Sequence, residues 1–267
     1  MRKLIPLLLF LLLGMYSCQE VITVNLNSVS PKVIVEGNVN NRPGPYTIKL
    51  SNTTNYFDPS TVSTLSGASV VISDNAGHTE TLLETSPGNY VTSTLVGTIG
   101  RTYYLTIVAA GQTYTASSLM ADTVRIDSTS MSIRPPRGGA TDSTYSITLS
   151  YTDPEATVNY YGFRLWRNGL IINNIIDNRV ESDKLFNGTP QQTRLRNSQL
   201  ITGDSVRVDL VCFDKNAYDY YNTLKSTLSA GGPFSAPPAN PVSNISNKAL
   251  GYFGAFAITS RSMLLNK

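Results

Sequence analysis

The chain has 267 residues, of which 41% are hydrophobic and 15% are charged, so it can bury a core and is not intrinsically disordered. Its formal net charge of +3 excludes the strongly basic surface with which proteins bind nucleic acids. It has one histidine and two cysteines, and it therefore lacks the His and Cys pairs from which most zinc sites are built.

The first residues have the layout of an export signal. Arg2 and Lys3 precede an apolar run over residues 4–13. A helix of this length rises about 15 Å, half of the roughly 30 Å of a membrane's hydrocarbon core, so the run cannot span a bilayer. A basic segment followed by a short apolar segment is typical of a secretory signal, which is removed from the mature protein.

The apolar run leads to Met-Tyr-Ser-Cys at residues 15–18, which resembles the lipobox of bacterial lipoproteins. The resemblance implies a lipoprotein signal peptide over 1–17, acylation of Cys18 and a tether over 18–30. Several acyl chains on one cysteine would hold the protein on a membrane surface. Because a lipidated Cys18 leaves Cys212 without a partner, we expect no intrachain disulfide. The alternative is an ordinary secretory signal with an incidental cysteine.

Short strands are predicted along the chain from residue 31 to residue 117. Apolar residues alternate with polar ones, and Gly, Pro and Asn separate the segments. The strands are predicted at 32–39, 46–50, 69–73, 78–83, 90–94, 102–108 and 112–115. This number of short strands is typical of a sandwich, so we predict an Ig-like or prealbumin-like β-sandwich over 31–117.

Strands resume in the second half of the chain. They are predicted at 124–133, 144–151, 159–166, 206–212 and 249–260. Cys212 has the same strand parity as the apolar residues before it, which indicates a small core residue rather than a reactive thiol. We therefore predict a second β-sandwich-like domain over 122–267, which makes the chain an all-β protein with two domains.

One short α-helix is predicted over 215–229 in this second domain. Asp214 is suited to cap its N-terminus. Apolar residues recur at helical spacing, namely Ala217, Tyr221, Leu224 and Leu228. We expect Tyr221, Leu224 and Leu228 to pack on the second sheet.

A long Gly/Pro-rich loop follows the helix at residues 231–247. Its prolines lack amide donors, so it is too proline-rich for a central strand. Two interpretations remain open: a functional loop, since long ordered loops often carry function, or a strap over the edge strand of the second domain.

Several motifs together resemble a known family. They are PKVIVEG (31–37), PGPYTIKLS (43–51), GASV (67–70), GRTYYL (100–105), DP (153–154), NYY (159–161), YDYY (218–221), GPF (232–234), PPANP (237–241) and ALGYF (249–253). Their order and coverage resemble the lipoprotein family of Bacteroidetes known as domain of unknown function 4249. The resemblance implies residence in the cell envelope and frequent association with TonB-dependent outer-membrane transporters of the SusC type, but no established activity.

Residues suited to catalysis are few. The only histidine, His78, follows a predicted hairpin turn near Asp74, and a Ser-His-Asp site there would have no GxSxG elbow. Asp153 and Glu155 flank a proline, where an Asp-capped turn is commoner than a glycosidase pair. Glycine motifs for nucleotides are missing. We therefore predict that the protein is not an enzyme and uses neither a metal nor a cofactor.

Aromatic residues favour a binding function instead. The chain has fifteen tyrosines, and tyrosine supplies the amphipathic surface typical of protein and sugar contacts. The candidate binding surface comprises Tyr160, Tyr161, Phe234 and Tyr252. The ligand would be a peptide, a glycan or a small molecule, among which the sequence does not decide.

Four Asp-Ser or Asp-Thr pairs, each followed by an apolar residue or a threonine, resemble the acceptor sites for O-glycans on exported Bacteroidetes proteins. The hydroxyl residues that would be modified are Thr123, Ser128, Ser143 and Ser205.

These expectations describe a lipid-anchored protein of the outer membrane that partners a TonB-dependent transporter in ligand capture. The alternative is a stand-alone surface adhesin or glycan-binding lipoprotein, and a hydrolase is a third hypothesis. The face of the membrane stays open, because Glu20 is the only acidic residue close to Cys18.

Overall fold

The computed structural model describes residues 31–54, 63–134, 144–177, 180–197, 199–229 and 239–266. The predicted signal peptide and tether, with Cys18, lie outside these residues. The same holds for Phe234, Ser143 and part of the Gly/Pro-rich loop.

Strands make up most of the described chain. They are β1 (Val33–Asn40), β2 (Thr47–Asn52), β3 (Ser63–Thr64), β4 (Ser69–Asp74), β5 (Thr79–Thr81), β6 (Leu83–Ser86), β7 (Asn89–Val91), β8 (Thr102–Ala109), β9 (Gln112–Leu119), β10 (Ile126–Arg134), β11 (Thr144–Thr152), β12 (Tyr160–Arg167), β13 (Leu170–Asn173), β14 (Glu181–Ser182), β15 (Pro190–Asn197), β16 (Ser205–Cys212) and β17 (Leu250–Leu264). The helix α1 spans Lys215–Ser229, where a helix was predicted, and short 3-10 helices span Ile175–Asp177 and Asp183–Leu185. The structure confirms the all-β fold class.

The strands form three sheets. The largest has ten strands, eight of them in the order β13-β12-β16-β17-β1-β2-β7-β6, with β14 beside β12 and β3 beside β2. The second sheet has the order β5-β4-β8-β9, and the third has the order β10-β11-β15. The pairing of β1 with β17 is parallel, whereas the strands on either side of it, β2 and β16, pair antiparallel with them.

Alternating side chains of the strands build one apolar core. In β8, Tyr103, Leu105 and Ile107 are buried, and the residues between them face away from the core. All three sheets contribute to this cluster, for example through Ile48 of the ten-stranded sheet and Leu149 of the three-stranded sheet. The two smaller sheets therefore cover one face of the large sheet, as in a β-sandwich.

The parallel pair of β1 and β17 joins the two halves of the chain in one sheet. Val35 of β1 lies opposite Gly251 of β17. Gly251 has a φ of +91°, and a Cβ at this position would lie 1.9 Å from the carbonyl oxygen of Val35. The close approach of the two strands thus requires a residue without a side chain. The ten-stranded sheet runs without a break across the predicted boundary between domains.

Helix α1 packs on the opposite face of the large sheet. The Asp214 carboxylate accepts a hydrogen bond from the amide of Ala217 at 3.0 Å, which confirms the predicted N-cap. The buried residues of α1 lie in its first two turns, where Tyr221 contacts Phe213. Leu228 is 69% exposed, so the prediction that it packs on the sheet is wrong, because the helix extends past the aromatic residues that it covers.

Candidate ligand-binding groove

The four aromatic residues predicted to form a binding surface do not lie together. Tyr161 is fully buried and donates its hydroxyl hydrogen bond to Asp153, so the prediction of an exposed Tyr161 is wrong. The reason is the alternation of β12, which directs this ring into the core between the sheets. Tyr160 and Tyr252 lie on the opposite face, half-buried beside α1, and Phe234 lies outside the described residues.

The rings beside α1 form a structural cluster. Tyr252 stacks on Tyr220 with 4.5 Å between ring centroids, and Tyr160 lies 5.0 Å from Tyr218. The hydroxyl of Tyr221 donates to that of Tyr252 at 2.6 Å. Burial raises the pKa of both of these phenols above the ordinary value. Since the rings mainly contact one another, this cluster holds the helix on the sheet rather than offering a free surface.

His78 lies at the end of a hairpin that Asp74 holds together. The buried Asp74 carboxylate accepts hydrogen bonds from the amides of Ala76 and His78, both at 2.9 Å, and from the Arg101 guanidinium at 2.7 Å. Burial raises the pKa of Asp74, but these hydrogen bonds lower it by a larger amount, so the pKa is about 2. The His78 ring contacts the same carboxylate through Nδ1 at 3.2 Å.

A charged cleft of about 610 Å³ opens beside this hairpin, and Glu80 lines it. The Glu80 carboxylate accepts hydrogen bonds from the hydroxyls of Ser93 and Thr94 and from the amide of Leu95. The hydroxyls of Ser93 and Thr94 therefore donate to Glu80. No hydroxyl group of the described residues is hydrogen-bonded to His78. A nucleophilic hydroxyl with its general base, which a Ser-His-Asp hydrolase requires, is thus not formed in the described part of the cleft.

The pair of carboxylates at Asp153 and Glu155 is not assembled either. Asp153 is buried and bound by the Tyr161 hydroxyl and by the amide of Gly188 at 2.9 Å. Glu155 is exposed and packs its side-chain carbons against Gly188. Asp153 therefore fixes a turn, which is the interpretation favoured from the sequence.

The described end of the Gly/Pro-rich loop forms part of a strap over strand β9. We use "strap" for residues 241–249, which directly precede β17. Ser246 exchanges hydrogen bonds with Thr115 of β9: its amide donates to the Thr115 carbonyl at 2.9 Å, and its hydroxyl accepts from the Thr115 amide at 2.7 Å. Asn244 anchors the strap by bonding the amide and carbonyl of Phe253 at 3.0 Å and 2.7 Å.

Since β9 is an edge strand of the four-stranded sheet, the strap covers an edge of the first half of the chain. The sequence had suggested an edge strand of the second half. Ile245 in the strap is buried in the common core, which adds apolar packing to the hydrogen bonds.

A groove of about 440 Å³ lies between the strap and the outer face of the four-stranded sheet. It is lined by Tyr104, Thr115, Ala116, Ser117, Ser243, Asn244, Ile245 and Ser246. Tyr104 is 43% exposed and belongs to the side of β8 that faces away from the core. The groove thus combines an accessible aromatic ring with hydroxyl and amide groups, and none of its lining residues is charged.

The absence of charge extends over the described outer face of the four-stranded sheet. The residues on this face are Ser69, Val71, Ser73, Thr79, Thr81, Thr102, Tyr104, Thr106, Val108, Thr113, Thr115, Ser117 and Leu119. All are hydroxylic or apolar. Such a face gives no electrostatic attraction to a charged ligand and suits hydrogen bonding to an uncharged one.

The sequence carries a pattern that indicates this face. In β8 and β9, every second residue is Thr, Ser, Tyr or an apolar residue, and these outward positions contain no Lys, Arg, Asp or Glu. The groove itself leaves no such pattern in the sequence, because Asn244 and Ser246 contact β9 from more than 120 residues away.

Three of the four predicted glycan acceptors are described, and all three are exposed. Thr123 precedes β10, and Ser128 is part of it. Ser205 begins β16 directly after Asp204, which is buried and forms an ion pair with Arg167 at 2.7 Å. The Asp204 carboxylate therefore has a structural role. The fourth predicted acceptor, Ser143, lies outside the described residues.

Other features bear on metals, thiols and membranes. Among the described residues, no group of three or more His, Cys, Asp or Glu side chains is arranged to hold a metal ion. Cys212 is buried in the core, and this burial raises the pKa of its thiol to about 12, as expected for a packing residue. No helix in the part of the chain that the structure describes is long and apolar enough to cross a membrane.

Comparisons with known proteins identify a family. The model of the family described as "Domain of unknown function (DUF4249)" matches residues 19–262 and confirms the family predicted from the motifs. Among solved structures, the chain is similar to a segment of two fibronectin type-III domains from chicken tenascin, at 16% sequence identity and a TM-score of 0.22, over 68% of this chain and 90% of that one. No curated protein matches the chain.

Proposed function

The chain belongs to the family of domain of unknown function DUF4249, and we propose that it is a lipid-anchored binding protein of the cell envelope without catalytic activity. It captures an uncharged ligand, foremost a neutral glycan, in the groove beside the strap. It then presents this ligand to a TonB-dependent transporter in the outer membrane. The proposed anchor is Cys18.

The groove is the observation that carries this proposal. Its volume of about 440 Å³ is within the range of ligand sites, roughly 300–1,000 Å³. Tyr104 offers a ring on which the apolar face of a sugar can stack, while Ser117 and Ser246 offer hydroxyl groups for hydrogen bonds to sugar hydroxyls. A neutral ligand matches the uncharged surroundings, because it leaves no buried charge without a partner.

The arrangement of the acidic groups supports a function without catalysis. Asp74 and Asp153 are buried and hydrogen-bonded to backbone amides, which are structural roles. Glu80 is similarly engaged with the loop at residues 93–95. Groups that are fully hydrogen-bonded within the fold are poorly suited to accept a substrate's proton.

The proposed anchor would act by confinement. A tether over 18–30 can reach at most about 45 Å even when fully extended. The groove would therefore stay within this distance of the membrane, plus the dimensions of the fold. Such confinement raises the effective concentration of the groove near a transporter without any further contact between the two proteins.

The anchor is tested by labelling cells with radioactive palmitate. We expect the unaltered chain to incorporate label and to sediment with membranes, and Cys18→Ser to do neither. Cys212→Ala is the matched control, because it removes the buried cysteine and leaves Cys18 in place. Equal labelling of the Cys18→Ser protein would contradict the proposed anchor.

Ligand capture is tested with a panel of neutral oligosaccharides, namely maltohexaose, cellohexaose and mannohexaose, by isothermal titration calorimetry. We expect at least one to bind and Tyr104→Ala to weaken that binding at least tenfold. Val108→Ala is the control, since Val108 lies on the same strand and face but does not line the groove. The absence of binding to the whole panel, or equal binding by Tyr104→Ala, would contradict capture of a neutral glycan.

The transporter partnership is tested separately by pull-down from detergent-solubilised membranes. Recovery of a β-barrel transporter together with the lipidated chain is the expected result. If glycan binding is observed but no barrel is recovered, the protein acts as a stand-alone surface adhesin.

A further inference from the structure

A second group of functional side chains lies on the outer face of the ten-stranded sheet, next to α1. Trp166 of β12 lies opposite Arg207 of β16, and Asp209 of β16 lies opposite Ser260 of β17. Arg42, from the chain between β1 and β2, reaches the same place. These residues come from four distant parts of the sequence, and the sheet brings them together.

Asp209 is the centre of this group, and its side chain is only 1% exposed. Its oxygen Oδ2 accepts a hydrogen bond from the Trp166 indole at 2.7 Å. Its other oxygen, Oδ1, lies 3.2 Å from Arg207 Nε and 3.5 Å from Arg42 Nη2, and it also accepts the Ser260 hydroxyl. Both oxygens of the carboxylate therefore have partners within the fold.

The two arginines are only half neutralised. Arg42 and Arg207 contact the same oxygen of a single carboxylate, so the group retains one positive charge. Arg164, directly opposite Asp209 on β12, adds a further positive charge to this face. Like charges held this close repel each other, and an added anion would relieve that repulsion.

The free edges of the guanidinium groups are accessible. The side chains of Arg42 and Arg207 are each 34% exposed. No described residue hydrogen-bonds the two Nη groups of Arg207. The Arg207 guanidinium lies 4.0 Å from the centroid of the Trp166 ring, and this stacking fixes the plane in which its Nη donors point.

We propose that Arg42, Arg207 and Trp166 form a second ligand site, which binds the oxygen atoms of a phosphate group. The fork of Nη donors on Arg207 matches two oxygens of such a group, and Arg42 contributes the second charge. Asp209 acts as a positioning residue, since it holds both arginines and the indole without facing the ligand. The anion can be a free solute or part of a lipid headgroup, and the experiment distinguishes these sources.

The site has a built-in reporter, because Trp166 is the only tryptophan of the chain. The mature chain with Cys18→Ser is titrated with inorganic phosphate at constant ionic strength, maintained with sodium chloride, while tryptophan emission is recorded. A second titration uses phosphatidylglycerol vesicles, with phosphatidylcholine vesicles as the neutral reference. We expect a saturable change in emission. Saturation by phosphate identifies a soluble anion, and saturation only by the anionic vesicles identifies a headgroup.

Three variants assign the signal to the site. Arg207→Gln is expected to weaken binding at least tenfold, and Arg207→Lys several-fold, since lysine keeps the charge that pairs with Asp209 but lacks the fork. Arg125→Gln is the control: it removes one positive charge from a side chain that is 87% exposed and paired with Asp127. Circular dichroism of each variant is used to check that it is folded. No saturable change with either probe, or equal affinity of folded Arg207→Gln or Arg207→Lys, would overturn the proposal.

Discussion

A single buried carboxylate determines the hairpin between β4 and β5. Asp74 ends β4, and its side chain binds the backbone of the turn at Ala76 and His78 and the side chain of Arg101, which directly precedes β8. Because these donors favour the ionised form, the pKa of Asp74 falls from 3.8 to about 2 although burial opposes the charge. The fold is therefore stabilised by keeping this group ionised.

The first prediction concerns this stabilisation and its pH dependence. Since the pKa in the folded state is lower than in the unfolded state, the stabilisation is complete above about pH 4 and is lost as the pH falls towards 2. A shift of this size corresponds to about 2 kcal/mol. We expect Asp74→Asn to lower the free energy of unfolding by about that amount at pH 7, and by roughly half of it at pH 3. Urea denaturation at the two pH values measures this difference.

Asp127→Asn provides the matched control for Asp74→Asn. Asp127 is paired with Arg125 at 3.4 Å, but both side chains are substantially exposed, so the expected loss is below about 1 kcal/mol. If Asp74→Asn destabilised no more than Asp127→Asn, or equally at pH 7 and pH 3, the structural role of the Asp74 charge would be refuted.

Single residues were predictable from the sequence when their partners are local. The cap at Asp214 bonds an amide three residues away, and this pattern is visible in the sequence. The prediction that Tyr160 and Tyr161 share a surface is wrong at Tyr161, because adjacent strand residues point to opposite faces and only one of the two can be exposed. The proximity of Arg42 to Arg207 could not be predicted from the sequence, because the two share the Asp209 carboxylate only after the sheet forms.

Among the elements, β17 joins strands from both halves of the chain. It pairs antiparallel with β16 and parallel with β1, and it also contacts β9 through the Ser118 hydroxyl, which accepts from the amide of Ala255. The sequence predicted a strand at 249–260 and gave no indication of its parallel partner. Pairings between residues more than 200 positions apart leave no local pattern, whereas the alternation within each strand does.

The second prediction tests the close approach of β1 and β17. In Gly251→Ala the new methyl group would meet the Val35 carbonyl oxygen at 1.9 Å, so the strands must separate. We expect a loss of more than about 3 kcal/mol in the free energy of unfolding, because both strain and lost packing contribute. Urea denaturation followed by circular dichroism measures it.

Gly203→Ala separates the steric effect at Gly251 from the effect of backbone conformation. Gly203 has a φ of +93°, close to the +91° of Gly251, but an added Cβ there would have no heavy atom within 4 Å. Its expected cost is therefore that of the positive φ alone, about 1–2 kcal/mol. Equal losses for the two variants would show that the approach of β1 to β17 is not limited by the glycine.

At the scale of the whole molecule, the two halves of the chain share a sheet and a core. Val35 from the first half and Phe253 from the second belong to one apolar cluster. The strap adds hydrogen bonds between Ser246 and β9 across the same division. The sequence predicted two sandwich-like domains from the change in strand pattern, and it could not indicate whether they fold separately, since that depends on the pairing between them.

The third prediction is that the two halves unfold as one cooperative unit. The fluorescence of Trp166 reports on the second half, and hydrogen exchange of β8 amides, measured by mass spectrometry, reports on the first. Ile107 is fully buried in the first half, so Ile107→Ala is expected to cost about 2–5 kcal/mol. We expect this substitution to lower the urea midpoint of Trp166 fluorescence as much as that of β8 exchange.

The reciprocal variant completes this test. Leu149→Ala removes a fully buried side chain from the three-stranded sheet of the second half, and it should lower the midpoint of β8 exchange to the same extent as that of Trp166 fluorescence. Independent domains would respond differently, because each substitution would shift only the midpoint of its own half. Coincident shifts in both variants would mean that the shared sheet and core make the two halves one cooperative unit.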